Sequence, residues 1–385
     1  MSTFSSRLQW ETQPNPLASL LAEKRGAGAP VLDLTESNPT RAGLEYPGDL
    51  LHALADPRAL HYEPDPRGLL SAREAVSRYY AKRGVEVAPS RILLTASTSE
   101  AYTYLFKLLA DPGDEILVPR PSYPLFEYLA AIESVHVRQY PLRYDGAWHI
   151  DFAALEALIT PRTRAIVVVN PNNPTGSYLK HDERERLERL NLPILSDEVF
   201  SDFSFHSDPH RIPTLAGTAN TLTFAMSGLS KIAGLPQMKL GWIVAGGPGH
   251  EAALEGLEWI ADTFLSVSTP VQLALPRMLA AAAHVQSQIL TRAKANLACL
   301  REAIAQGSSC HALNVEGGWS TVLQVPRTRG EEAWCLHLLA SHDVLVQPGF
   351  FYDFEAEAYL VLSLLTIPEV FRVGSGRILA ALAQS

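Results

Sequence analysis

The chain of 385 residues holds only three cysteines, no run approaching eighteen apolar residues and no excess of basic charge, and each shortage removes a class of function. Cys299, Cys310 and Cys335 are odd in number and lack the paired close spacing of zinc sites. They read as reduced structural thiols, so neither a disulfide framework nor a metal site is expected, and a reducing compartment such as the cytoplasm is. The opening stretch MSTFSSRLQWETQPNPLASLL has no basic segment followed by an apolar core, which argues against secretion and membrane insertion. A net charge of −9 supplies no basic stripe to displace counterions, so nucleic acid is not an expected partner. No Gly-x-Gly-x-x-Gly follows any strand candidate, which weighs against a dinucleotide-binding dehydrogenase. Internal repeats are missing too, and the only biased stretches are alanine-rich helical segments near 252 and 279–283.

What is present suits a folded metabolic enzyme: 47% apolar and 19% charged residues over a length that exceeds one ordinary core. Residues 1–44 form an N-terminal arm with an amphipathic segment at 16–25 and an extended VLDLTESNPT. From Ser71 the pattern SAREAVSRYYAKRG has helical spacing and ends at Gly84. Strand candidates then alternate with helical segments: RILLT (91–95), EILVP (115–119), AIVVV (165–169), PILS (193–196), LTFAM (222–226) and LGWIVA (240–245). Several are apolar almost throughout, as strands buried on both faces must be, so the expectation is an α/β fold whose large domain has a mainly parallel sheet flanked by helices. After Pro248 long helices at 249–263 and 271–305 lead into short strands at 320–325 and 359–365 around a helix at 331–341, with a last helix at 368–382. This predicts a smaller α+β domain over 266–385, a large domain over 45–265, and an arm that packs with the C-terminal part.

Ligands of open α/β sheets bind beyond the carboxyl ends of the strands, and four strand ends here carry polar residues. RILLT runs into Ala96-Ser97-Thr98-Ser99-Glu100 and a helix. Ser97 and Glu100 form a capping box on one reading and, on the other, open a phosphate cradle of hydroxyls and backbone N–H groups; both can hold at once. AIVVV runs into Asn170-Pro171-Asn172-Asn173-Pro174-Thr175-Gly176, by composition a turn. PILS runs into Asp197-Glu198, a solvated loop or a carboxylate poised to pair a buried cation. LTFAM delivers Lys231 into a Ser/Gly-rich turn, with Lys239 eight positions on. A lysine partly desolvated near another cation loses proton affinity, which a Schiff-base nucleophile requires. Phosphate cradle, amide, carboxylate and lysine on neighbouring strand ends are the parts of a pyridoxal 5′-phosphate site.

With these motifs in this order, nearly the whole chain resembles the class I/II aminotransferases of the fold-type-I pyridoxal-phosphate enzymes. TASTSEA is similar to the phosphate-cradle motif, implying roles for Ser97, Thr98 and Ser99. PRPSYPLFEYL resembles the segment whose aromatic residue, Tyr123, stacks on the pyridine ring, a core tyrosine being the alternative. NNPTG implies that Asn173 partners the phenolic oxygen, SDEVF that Asp197 partners the pyridinium, and SGLSK that Lys231 forms the aldimine and then acts as general base, with Ser230 and Lys239 at the phosphate. Tyr62 is similar to the tyrosine that reaches the partner subunit's phosphate, which implies a homodimer with shared active sites.

The resemblance therefore implies transfer of an amino group from an amino acid or related amine to a 2-oxo acid through a Lys231 aldimine and a pyridoxamine intermediate. A lyase, decarboxylase or racemase on the same fold is the alternative, and a cofactor-binding protein without turnover a third. Four residues depart from the pattern. Phe200 replaces a tyrosine, Gly228 a phosphate-binding serine, Lys239 an arginine, and Val361 the arginine of Tyr-x-Arg-x-Ser that clamps the substrate carboxylate. Arg41, just after SNPT, is the expected substitute for that clamp, with Arg67 second. Arg372 and Arg377 read as solvated. Trp319, Tyr46, Tyr102 and Phe351 are candidates for an apolar pocket wall or for ordinary core.

Overall fold

The computed structural model describes residues 5–8 and 13–384. After a short β1 (Leu32–Asp33), eight strands form one sheet: β2 (Ile92–Thr95), β3 (Glu115–Arg120), β4 (His136–Tyr144), β5 (Trp148–Ile150), β6 (Thr163–Val169), β7 (Ile194–Asp197), β8 (Thr223–Gly228) and β9 (Gly241–Gly246). Their order across the sheet is β2-β9-β8-β7-β6-β3-β4-β5. The pairs β4–β3, β3–β6, β6–β7 and β7–β8 are parallel; helices Phe126–Ile132 and His181–Arg189 carry the chain from β3 to β4 and from β6 to β7, whereas the connection from β7 to β8, residues 198–222, contains no helix. β9 runs antiparallel to both β8 and β2, and β5 antiparallel to β4. Every residue of β2, β7, β8 and β9 is buried, which explains their unbroken apolar runs.

Helices cover both faces. On one, Leu93, Phe224 and Ile243 pack against Leu105 and Phe106 of the helix Thr98–Leu109 and Leu257 of the helix His250–Asp262. On the other, Leu94, Ala225 and Trp242 meet Val76 and Tyr80 of the helix Leu70–Ala81. Leu275 and Met278, early in the helix Thr269–Ala305, join this second core. That helix is 37 residues long, about 55 Å, and its later residues Ala293, Leu297 and Leu300 belong to a different core.

This other core serves a four-stranded antiparallel sheet, β10-β11-β14-β13, formed by β10 (His311–Ala312), β11 (Ser320–Gln324), β13 (Gln347–Pro348) and β14 (Tyr359–Ser363). β12 (Val344–Leu345) instead pairs in parallel with β1. Leu17 and Leu34 of the N-terminal segment are buried with Trp334, Leu338, Phe371 and Ile378, so residues 17–34 and the last hundred share one hydrophobic core. Among the described residues no helix is long and apolar enough to cross a membrane.

The sheet register aligns the polar strand ends. Val169 pairs with Asp197, Asp197 with Met226, Gly228 with Gly241 and Gly241 with Thr95. One edge of the large sheet thus presents the residues after β2, β6, β7 and β8 side by side. The small sheet lies across from them.

Candidate active site

Between the two sheets lies a cavity of about 710 Å³. Lys231 enters it from the short helix Leu229–Ile232, which follows β8 directly. Its Nζ sits 5.2 Å from the ring centroid of Trp319 and 5.6 Å from that of Phe200. Those two rings meet edge to face at 5.3 Å. Burial lowers the proton affinity of the amine, while the Asp197 carboxylate partly offsets that effect.

Asp197, at the end of β7, is buried and accepts hydrogen bonds from the Tyr102 hydroxyl at 3.2 Å and the Val199 amide at 3.2 Å. Burial pushes its carboxyl up to about 6, because two neutral donors do not replace the water it has lost. A carboxylate so placed, facing a cavity, matches the protonated nitrogen of a ring. No local pattern marks Tyr102 as its partner, although Tyr102 lies one turn beyond Thr98 and so on the same helix face.

At another stretch of the wall, Ser97, Thr98, Ser99, Gly228, Ser230, Lys239 and Gly241 line the cavity around the start of the helix Thr98–Leu109. Ser97 is the N-cap, accepting from the Glu100 amide at 3.1 Å, and Glu100 in turn accepts from the Ala96 amide at 2.6 Å. The cap does not use the Ser97 hydroxyl proton, so capping and anion binding are compatible. The backbone is tight here: a Cβ on Gly228 would stand 2.9 Å from the Gly241 Cα and 2.9 Å from the Leu240 carbonyl. No side chain fits at Gly228 without moving β9, which is why serine is absent there. Lys239 adopts the left-handed backbone conformation (φ 50°), turning the chain from the 3₁₀ turn Pro236–Met238 into β9.

The three asparagines after β6 divide their work. Asn170 bonds the Ile212 carbonyl and the Leu179 amide, and Asn172 bonds Ser122, the Pro121 carbonyl and Thr175, so both hold the turn. Asn173 lines the cavity and accepts from the Ser320 hydroxyl at 3.3 Å. Tyr123 also lines the cavity and is 45% exposed, so it is not a core residue. Residues that the sequence did not single out complete the wall: Thr35 and Ser37 after β1, Gln347, and Ser363, whose hydroxyl donates to the Glu36 carbonyl at 2.6 Å.

Trp319 and Phe351 line the cavity, whereas Tyr46 bonds the Gly234 carbonyl at 2.7 Å and does not. Tyr62 is 75% exposed, and neither it nor the exposed Arg41 lines the cavity within one chain. Arg67 is engaged with Glu258 and the Ser90 carbonyl. Arg372 pairs with Glu369 on the surface and Arg377 donates to the His342 carbonyl.

The family model of aminotransferase class I and II matches residues 29–373. The chain belongs to that family. Glutamate-pyruvate aminotransferase AlaA of Escherichia coli (strain K12) is 36% identical over 262 residues, a match that covers 66% of this chain and 64% of that protein. Alanine aminotransferase of Mycobacterium bovis is 31% identical over 287 residues, covering 71% of this chain and 66% of that one. The chain thus spans just under two thirds of the length of these relatives. An Escherichia coli aminotransferase crystal structure superposes with a TM-score of 0.87 at 25% identity, covering 100% of this chain and 98% of that one.

Pyridoxal phosphate is the cofactor of class I/II aminotransferases, and this donor set fits it: a glycine-lined cradle at a helix start, a buried carboxylate whose hydrogen-bond donors are neutral, and a desolvated lysine. In this chain Val361 lies in β14, between Val322 of β11 and Gln347 of β13, and faces the cavity as an apolar, buried residue. Nothing at that position can pair a carboxylate.

Proposed function

We propose that the protein transfers an amino group from an amino acid or related amine to a 2-oxo acid, in two half-reactions at one site. What supports this reading is the convergence of Lys231, Asp197 and Asn173 on a single cavity in a chain of the aminotransferase family. Bound pyridoxal phosphate supplies an aldehyde that bonds amines reversibly and a ring that withdraws electrons from the carbon losing its proton. Ser97, Thr98, Ser99, Ser230 and Lys239 would hold the phosphate at the helix N-terminus, where unpaired N–H groups and the dipole favour an anion. Asp197 would pair the ring nitrogen, Asn173 the phenolic oxygen, and Tyr123 would cover the ring face.

Lys231 is then the group that takes a proton from the substrate carbon and delivers it elsewhere, a role that its lowered proton affinity suits. Phe200 and Trp319 keep water from its amine on two sides. Arg41 stays our candidate for the substrate carboxylate, brought to the site by a second subunit or by closure of the arm. The deciding experiment mixes the holoenzyme with a panel of donors and follows the cofactor spectrum. Conversion to the aminated form, reversed by a 2-oxo acid, is expected. Release of ammonia, a thiol or carbon dioxide without dependence on an oxo acid would overturn the reading in favour of a lyase or decarboxylase.

The homodimer belongs to the same proposal. Leu60, Tyr62, Trp259, Phe264 and Leu265 are exposed, and the segments that carry them reach the phosphate end of the site: Ser266 donates to Glu100 at 2.8 Å, and Arg67 pairs with Glu258. We infer that a second copy of this chain covers it and that Tyr62 reaches the partner's phosphate. Sedimentation at micromolar concentration is expected to give a dimer, and a monomer would refute it. Three cysteines without a disulfide suit a cytoplasmic setting.

A further inference from the structure

The cavity is electrically lopsided. Among the described residues that line it, Lys231 and Lys239 are the only lysine or arginine side chains, and Lys239 belongs to the helix-start end with Ser97 and Ser230. The wall away from them is built by Phe350, Phe351, Tyr352 and Val361. Behind that wall lies more apolar material: Tyr352 and Val361 pack with Trp148, Leu313 and Val322, and Phe351 packs against the same cluster. Asp353, next to Tyr352 in the chain, and Glu127 also line the cavity, from exposed positions, and add negative rather than positive charge to its lining.

This wall is also fixed in place. The Ser122 amide donates to the Tyr352 carbonyl at 2.9 Å, Glu331 accepts from the Phe350 amide at 2.6 Å, and the Tyr352 hydroxyl donates to Gln347. A carboxylate laid against these side chains would lose its water and meet no lysine or arginine, whereas a ring would bury apolar area against apolar area.

We propose that the substrate lays an aromatic or other apolar group against Phe350, Phe351, Tyr352 and Val361 and carries no second carboxylate there. This selects amines and amino acids with an aromatic or apolar side group over dicarboxylic donors. The assignment rests on the transamination reading for its chemistry, so its test uses inert ligands and requires no turnover.

The test is calorimetric titration of the holoenzyme with 3-phenylpropanoate and with glutarate, which share one carboxylate on a short methylene chain and carry at the far end a ring in the first and a second carboxylate in the second. 3-Phenylpropanoate is expected to bind at least about tenfold more tightly. Phe350→Ala, at a position 46% exposed and therefore tolerant of truncation, is expected to weaken 3-phenylpropanoate severalfold and leave glutarate unchanged. Equal or tighter glutarate binding, no 3-phenylpropanoate binding at millimolar concentration, or an equal loss for both ligands in Phe350→Ala would overturn the proposal. If 3-phenylpropanoate binds as expected but no donor converts the cofactor, the substrate class stands and transamination alone fails.

Discussion

Lys231→Ala is expected to lower turnover by at least about 10⁴-fold, with the fold intact. The loss follows from two duties that the amine performs alone: it is the nucleophile that would hold the cofactor and the base that would move the proton. Stability should not fall with it. The side chain faces a cavity and a desolvated amine is removed, so the cofactor-free variant should melt at or above the wild-type temperature. Lys231→Arg separates charge from chemistry, because a guanidinium stays protonated at any working pH and can serve neither duty. Methylamine added to Lys231→Ala should restore part of the proton-transfer rate in proportion to its free-base concentration. If both variants keep more than about a hundredth of wild-type turnover, Lys231 is not the base.

Much of this site was legible because of where the strands end. AIVVV and LTFAM are buried on both faces in β6 and β8, so their apolar runs are unbroken, and the first polar residues after them fall at one edge of the sheet. β4 was not legible. It lies toward the sheet edge, alternates exposed and half-buried positions over its first four residues, and carries Arg138, Pro141 and Arg143, so it has no continuous apolar run to mark it as a strand. The reversed direction of β9 leaves no mark in LGWIVA, since a strand buried on both faces looks the same whichever way it runs. Contacts across the cavity were hidden for another reason. Trp319 meets Lys231 only because the small sheet docks on the large one, and no local pattern encodes a contact between residues so far apart in the chain.

Cofactor-free protein should lose stability as the pH rises from about 4 to about 6, and Asp197→Asn should remove one component of that loss. The folded carboxyl holds its proton up to about 6, whereas the unfolded one releases it near 3.8, so the folded state binds more protons between those values. Stability contributed by the protonated form is therefore complete below 3.8 and gone above about 6. That gap corresponds to about 3 kcal/mol at neutral pH. Asparagine retains both local hydrogen bonds, accepting from the Val199 amide and donating to the Tyr102 oxygen, but it has no charge to desolvate. Other buried carboxyls raised in the same direction, such as Glu183 and Glu198, contribute equally to both proteins, so the difference between the two curves isolates Asp197. Denaturant unfolding at pH 4 and pH 7 should show the variant close to wild type at the first and more stable by up to about 3 kcal/mol at the second. A difference that does not change with pH would show that Asp197 is not held near neutrality by burial. Saturating cofactor should reverse the order: a protonated ring nitrogen pairs the carboxylate of the wild type and finds only an amide in the variant, so the gain in melting temperature on loading should be the larger for wild type. On the proposed reading, the destabilising charge is retained for the ligand that would neutralise it.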